Sequence, residues 1–465
     1  MRKKILCVAL AAIMALSMVG CGSKDSGGQN ATTAAGGSTP TMAASGETKS
    51  DAGSASSIVK TLSKPVTIEF WHCISNEAHV EILTKLIDNF NSGRGKELGI
   101  TVNPTFQGSG SDLYNNIMGA LKAKNAPDVT LATPQFTAEY LQTDYVVDMT
   151  PYINDPDIGI TDWEDIFEGF RNEGSNYVKE GIYSIPIHKS AEILYYNKKF
   201  FDDNNLTVPT TWDEMVEVSQ KIYDITGKPA FGWDNLWSAM MTLTLQNGGK
   251  YADANGEVFF AEDPTITKQV VEFYKEQIKK GIWRTTNEDK YFSGPFANEI
   301  IPMYIGVSVE AAYINQKSDT IQWSAAPIPQ KDPNNTFART DGHCIEILSM
   351  NGDQEKIYAA FEFVKYMTSY EANLATAQGS GYLPIRQSVI DSKEYQDYLA
   401  QGNDDAQIAS NHQTASYFNP PAFVSDTVTS KGLTDECKIM MENIMDNDMD
   451  FDSALAQLKS SLGIN

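Results

Sequence analysis

Histidine and cysteine are both scarce, five of each in 465 residues. Cys7 and Cys21 fall in an N-terminal leader, which leaves Cys73, Cys344 and Cys437, an odd number at wide spacing. That pattern makes neither a disulfide framework nor a CxxC metal knuckle, and the three read as small buried residues. So few histidines supply little for metal or triad chemistry. His188 and Glu192 have helical spacing, but the second histidine of a zinc-protease motif is missing. Gly108-Ser-Gly110 lacks the third glycine of a dinucleotide fingerprint, and Gly306-Val-Ser-Val-Glu310 ends in glutamate where a nucleophile elbow needs glycine. Positive charge is short as well: 36 Lys and Arg stand against 60 Asp and Glu, a net charge of −24. Nucleic acid and anionic membrane surfaces are therefore poor partners. Nothing in the residues calls for a cofactor, a metal or catalysis, although abundant carboxylates keep a secreted polysaccharide-acting enzyme open as an alternative.

What is present begins with the leader. Arg2-Lys3-Lys4 is a basic start, Ile5 to Val19 an apolar run too short to span a bilayer, and Met18-Val-Gly-Cys21 follows at once. The segment 1–20 resembles a bacterial lipoprotein signal peptide, with Met18 in place of the usual leucine. The resemblance implies a lipidated Cys21 as mature N-terminus. Residues 21–62 are then the anchor and a tether, because Gly, Ser, Ala and Thr dominate and cannot bury enough surface to fold.

The remaining length exceeds what one core organises, and a 42% hydrophobic fraction suffices for two. Val66 to Trp71 alternates as a strand. Val80, Leu83, Leu86 or Ile87 and Phe90 repeat at helical spacing behind a cap at Ser75 or Asn76. Ile100, Val102 and Phe106 share one face of a second strand, Leu113, Ile117 and Leu121 mark the next helix, and Val129 to Ala132 is a third strand. This alternation predicts an α/β domain with a largely parallel sheet. Helices are expected from the Thr211-Trp-Asp-Glu214 capping box through Ile222, over 265–280, over 354–367 and over 451–462.

Gly181 to Asn197 is the most informative stretch. Ile182 to Ile187 and Ile193 to Tyr196 read as buried strand, whereas His188, Lys189, Ser190 and Glu192 are costly inside one continuous core. Either the chain crosses an open cleft between two cores here, or the block is a surface loop with a turn at Pro186. Aromatic and amide side chains also gather at loop positions: Trp71 with His72 at a strand's end, Trp233 and Trp237 in Gly-Trp-Asp-Asn-Leu-Trp, and Tyr382 in Gly-Ser-Gly-Tyr-Leu-Pro. Flat apolar faces beside hydrogen-bonding groups suit a sugar ring. Each aromatic taken singly is more often a core residue, and it is their joint occurrence beside Gly, Ser and Asn that points to a pocket. For Trp233 the two readings diverge: a ligand platform loses binding on truncation, a core residue loses stability.

Together and in order, Val66-Thr-Ile-Glu-Phe-Trp-His, Asn125-Ala-Pro-Asp, Ile185-Pro with Leu194-Tyr-Tyr-Asn-Lys, Pro209-Thr-Thr-Trp-Asp, Phe292-Ser-Gly-Pro-Phe-Ala-Asn before Met303-Tyr-Ile-Gly, and Gly381-Tyr-Leu-Pro-Ile resemble the extracellular solute-binding proteins of carbohydrate ABC importers, nearest the glycerol-3-phosphate-binding branch. The resemblance implies a two-lobed periplasmic-binding-protein-like α/β fold, with mostly parallel sheets flanked by helices and a ligand cleft between the lobes. Lobe one is expected over 63–188 plus 343–384, and lobe two over 189–342 plus 385–465. Ser190, Trp233, Trp237, Ser308, Gly342 and Tyr382 match ligand-contacting places of that branch, and Trp71, His72, Ser109, Asp112 and His343 complete the candidate site. The branch's pocket glutamate falls at Pro134, and its phosphate-binding arginine has no counterpart near Thr427 to Gly432, which favours a neutral sugar or oligosaccharide over a phosphorylated polyol. Implied partners are the sugar, the permease subunits, and the membrane through the lipid anchor alone. A monomer on the extracellular face of the cell membrane is expected.

Overall fold

The computed structural model describes residues 58–401, 405–412 and 414–464, so Cys21 and nearly all of the tether lie outside the described residues. The strands in chain order are β1 (Val66–His72), β2 (Ile100–Phe106), β3 (Val129–Ala132), β4 (Ile185–Asn197), β5 (Phe231–Trp233), β6 (Met303–Val307), β7 (Trp323–Ala326), β8 (Ala338–Ile347) and β9 (Tyr417–Phe418). They form one sheet in the order β2-β1-β3-β8-β4-β6-β5, with β7 added on β4 and β9 on β8.

The strand–helix alternation of the first third is present. Asn76 accepts from the amides of Ala78 and His79 and starts the helix Glu77–Ser92, which buries Leu83, Leu86, Ile87 and Phe90. Ser109 and Asp112 make a capping box on the helix Gly110–Ala123, so β1, β2 and β3 run parallel in the manner of strand–helix–strand units. The expectation of mostly parallel sheets is met there and at β5 with β6. Elsewhere the sheet is mixed: β8 is antiparallel to β3 and to β4, and β4 is antiparallel to β6 and β7. Phe106 is a second departure. It is 53% exposed because β2 runs past the edge of its core, whereas Ile100 and Val102 are buried as expected.

Two principal cores result. One gathers Ile68, Phe70, Leu86, Phe90, Ile117, Val129, Ile185, Ile187, Ile345 and Phe361. The other gathers Leu194, Trp212, Met215, Trp233, Trp283, Ile305, Cys437 and Leu455, and includes the capping-box helix Trp212–Thr226 and the last helix Phe451–Leu462. A smaller cluster of Ile193, Tyr195, Phe296 and Tyr304 covers the opposite face of β4 and β6. Each large apolar side chain so placed contributes about 1.5–3 kcal/mol relative to exposure.

Residues 185–197 form one continuous strand that leaves the first core at Ile187 and enters the others at Ile193 and Leu194. Pro186 lies within it, opposite Cys344, with a register shift before His188, so no turn forms there. The polar block crosses between cores, yet it is buried: Lys189 is 0% exposed and Glu192 1%. Burial is tolerated because Lys189 pairs with Glu173 and Glu192 with Arg339, at 3.2 Å. Gly342, opposite Lys189, has φ +120°, and a Cβ there would stand 1.9 Å from the His188 carbonyl oxygen. Only glycine allows the two crossing strands this approach.

Glu346 on β8 is fully buried, its carboxyl accepting from Thr137 Oγ1 at 2.8 Å. Burial pushes it up to about 8. The folded state therefore keeps a proton that the unfolded chain releases near 4.5, and stability present at and below that value is lost as the pH rises toward 8, by about 1.4 kcal/mol per unit. Glu346→Gln is expected to flatten the fall in melting temperature between pH 5 and 8 and to exceed the parent protein at pH 8. An unchanged pH slope in the variant would sink this assignment.

Candidate functional site

The crossing strands form the floor of the site. Across β4 and β8, His188 faces His343, Ser190 faces Asp341 and Lys189 faces Gly342. Between the end of β3 and the strands of the second core lies a cavity of about 160 Å³. Thr133 and Gln135 line it from the first core's side, Asn235, Trp237 and Thr434 from the second, and Arg339, Asp341 and Gly342 from the crossing. Gln135 Nε2 donates to Thr434 Oγ1 at 3.2 Å, and the Lys431 ammonium lies 5.7 Å from the centre of the Tyr114 ring, so the two sides meet at this cavity.

Arg339 organises the wall. Its Nε donates to Ser238 Oγ at 2.9 Å and to Glu192 at 3.2 Å, its Nη2 to Asp341 at 3.1 Å, and its guanidinium lies 5.4 Å from the centre of the Trp237 ring. Trp237 is held from its other end by Nε1 donating to Tyr251 Oη at 2.8 Å. Burial works against the Asp341 charge, but Arg339, the Gly342 amide and Lys189 outweigh it and hold this carboxyl below the ordinary range. The two buried cations lining the cavity already face carboxylates: Arg339 faces Glu192 and Asp341, and Lys189 faces Glu173, while Lys438 is half-exposed and 3.9 Å from an Asp435 that Lys431 holds at 2.5 Å.

Of the residues expected from sequence, Trp237 and Gly342 line the cavity. His72, Ser190, Ser308, His343 and Tyr382 gather along the crossing strands. His343 Nε2 lies 3.4 Å from Cys73 Sγ, the Tyr382 ring stacks on His188 at 4.8 Å, and Ser308 Oγ accepts from the Ala191 amide at 3.4 Å. Trp71 is half-buried against the first core. Ser109 and Asp112 are exposed and spend their polar atoms on one another as a helix cap. Trp233 requires a correction: it is 0% exposed and stacks on Trp212 at 5.5 Å in the second core, because β5 turns it inward beside Met303 and Ile305.

Sequence reasoning missed Arg339, Asp341 and Asn235, although the polar alternation of Arg339-Thr-Asp-Gly-His343 in an otherwise apolar strand was a signal. Tyr291 is 59% exposed at the surface. Asp234 and Glu310 cap the neighbouring ends of β5 and β6. Asp234 accepts from the Phe292 amide at 2.6 Å, and Glu310 accepts from Tyr304 Oη at 3.2 Å. Burial and the Glu310 carboxyl push Asp234 well up.

Comparison with known proteins decides the family. A model of the bacterial extracellular solute-binding proteins matches residues 85–402. The chain belongs to that family. Among relatives of this solute-binding protein, the multiple sugar-binding protein of Streptococcus mutans is 26% identical over 42% of the chain, a match spanning about half of that relative (49%). The sn-glycerol-3-phosphate-binding periplasmic protein UgpB of Pectobacterium atrosepticum is 23% identical over 74% of the chain and 78% of its own length. In structure, UgpB of Mycobacterium tuberculosis, solved with glycerophosphocholine, superposes with TM-score 0.72 at 21% identity, covering 86% of this chain and 98% of that one. The cyclic α-maltosyl-1,6-maltose binding protein of Arthrobacter globiformis reaches 0.71 at 17% identity, covering 86% and 98%. These likenesses make the fold the two-lobed one of periplasmic sugar-binding proteins.

Trp233 and Tyr291 separate core from surface. Trp233→Ala is expected to destabilise the solute-free protein by about 3–5 kcal/mol through lost area and a cavity, whereas Tyr291→Ala stays within about 0.5 kcal/mol. Chemical denaturation of both variants checks this, and a Trp233→Ala protein as stable as its parent would return Trp233 to the cleft.

Proposed function

We propose that this chain is the substrate-binding lipoprotein of a carbohydrate ABC importer, which captures a neutral sugar or oligosaccharide between its lobes and delivers it to the permease. The observation that carries this reading is the charge state of the inter-lobe cavity. Trp237 offers an apolar face, Asn235, Gln135 and Thr434 offer neutral hydrogen-bonding groups, and the two buried lining cations, Arg339 and Lys189, are committed to carboxylates of the protein. A phosphate seeking Arg339 would have to displace Asp341 or Glu192 from it, whereas sugar hydroxyls need only donors and acceptors of either kind. Sugar-named relatives support the same class, and so does the lack of a phosphate-binding arginine around Thr427 to Gly432. The glycerol-3-phosphate-named relatives support the competing ligand class. In this reading the protein carries out no catalysis, acts as a monomer and is held at the extracellular face of the membrane by a lipid on Cys21.

Ligand-dependent melting decides between the classes. Maltotriose and related neutral oligosaccharides are expected to raise the melting temperature, with an affinity that changes little between low and high salt. Stabilisation by glycerol-3-phosphate alone, weakening tenfold with salt, would transfer the protein to the phosphate class. Cys21→Ser is expected to release the protein from membranes into the medium with its ligand-induced melting shift intact, and a variant still bound to membranes would end the anchor reading.

A further inference from the structure

Four of the five histidines converge where the crossing strands meet the first lobe. His188 and His343 are directly opposite each other on β4 and β8. His72 ends β1, with the Phe70 and Phe106 rings 5.7 and 5.9 Å from its own. His79 donates from Nε2 to the Ser380 carbonyl at 2.6 Å, and Tyr382 lies between it and His188, its ring centre 5.0 Å from one and 4.8 Å from the other. The Nδ1 atoms of His72, His188 and His343 are buried without a hydrogen-bond partner among the described residues. The groups that face this cluster are few. Around His188 they are the other three imidazoles and Tyr382. Around His343 they are Cys73, Asp341 and Lys189, and around Tyr382 they are Cys73, Tyr313 and Asp341. Asp341 is the single carboxylate among these, and it is engaged by Arg339. Among the described residues, no group of three or more His, Cys, Asp or Glu side chains is arranged to hold a metal ion.

We propose that His72, His188 and His343 form an acid-operated latch beneath the solute cleft: neutral, they let the lobes close over them, and protonated, they repel one another and drive the cleft open. Imidazolium charges gathered at the crossing beside one committed carboxylate are costly to hold desolvated. Opening the lobes admits the water that each charge requires. Burial already depresses all three imidazoles, His343 to about 4, so the closed form binds fewer protons than the open one and falling pH favours opening. The latch takes its purpose, release of solute in acid, from the solute-binding reading above, but its operation does not depend on which solute is carried.

Small-angle scattering of the solute-free protein from pH 7.5 to 4.5, with far-UV circular dichroism in parallel, tests the latch. The expected result is a rise in radius of gyration below pH 6.5 while the dichroism stays constant. The rise is shifted to lower pH in His343→Gln and absent in the triple variant His72→Gln, His188→Gln, His343→Gln. His412→Gln, at the exposed fifth histidine, should follow the parent curve. A flat parent profile, or an unchanged transition in His343→Gln, overturns the proposal even if the triple variant fails to fold. Absence of maltotriose binding with the transition intact would count against the sugar reading and leave the latch standing.

Discussion

The structure depends on how charge is held where β4 and β8 cross between the cores. Lys189 and Glu192 are as buried as the isoleucines on either side, and each is tolerated because a partner from a distant part of the chain neutralises it: Glu173 for one, Arg339 for the other. Removing one member of such a pair typically costs about 3–5 kcal/mol, since the survivor is left charged and desolvated. The cost makes the crossing a defined strand pair, and both lobes are positioned from it. Glu173 also receives the Asn419 amide, which draws β9 and the chain after it to the same junction.

The same pairs set the chemistry of the cleft. Arg339 is the most prominent cation near the inter-lobe cavity, yet its guanidinium is divided among Glu192, Asp341, Ser238 and the face of Trp237. It works as an internal brace that fixes an aromatic surface and a carboxylate. A cleft so braced offers hydrogen-bonding groups of fixed direction and little net field, which suits a neutral polyhydroxylated solute. The histidines beneath it gather at the crossing strands, where burial lowers their pKa values.

Much of the architecture was legible from local pattern. The alternation from Val66 to Ala132, the capping box at Thr211 and Glu214 and the helices over 354–367 and 451–462 depend on neighbours within a few positions, and they formed accordingly. The mixed sheet was not legible, because the direction in which β8 returns beside β3 and β4 is decided by residues more than a hundred positions apart. Trp237 was singled out from loop context and Gly342 from the family resemblance, and both line the cavity, but Trp233, in the same hexapeptide as Trp237, points the other way from a strand and belongs to the core.

By itself the sequence determined the class of elements and the scarcity of positive charge, and it left open whether the chain at Gly181 to Asn197 crosses between cores or forms a surface loop. It implied that a polar block at a crossing is exposed, since buried charge without a partner is prohibitive. Only the tertiary structure supplied the partners. Arg339 lies 147 positions from Glu192, and no periodicity links them. The convergence of His72, His79, His188 and His343 was equally hidden, because residues drawn from β1, β4, β8 and the helix Glu77–Ser92 become neighbours only when the crossing strands close.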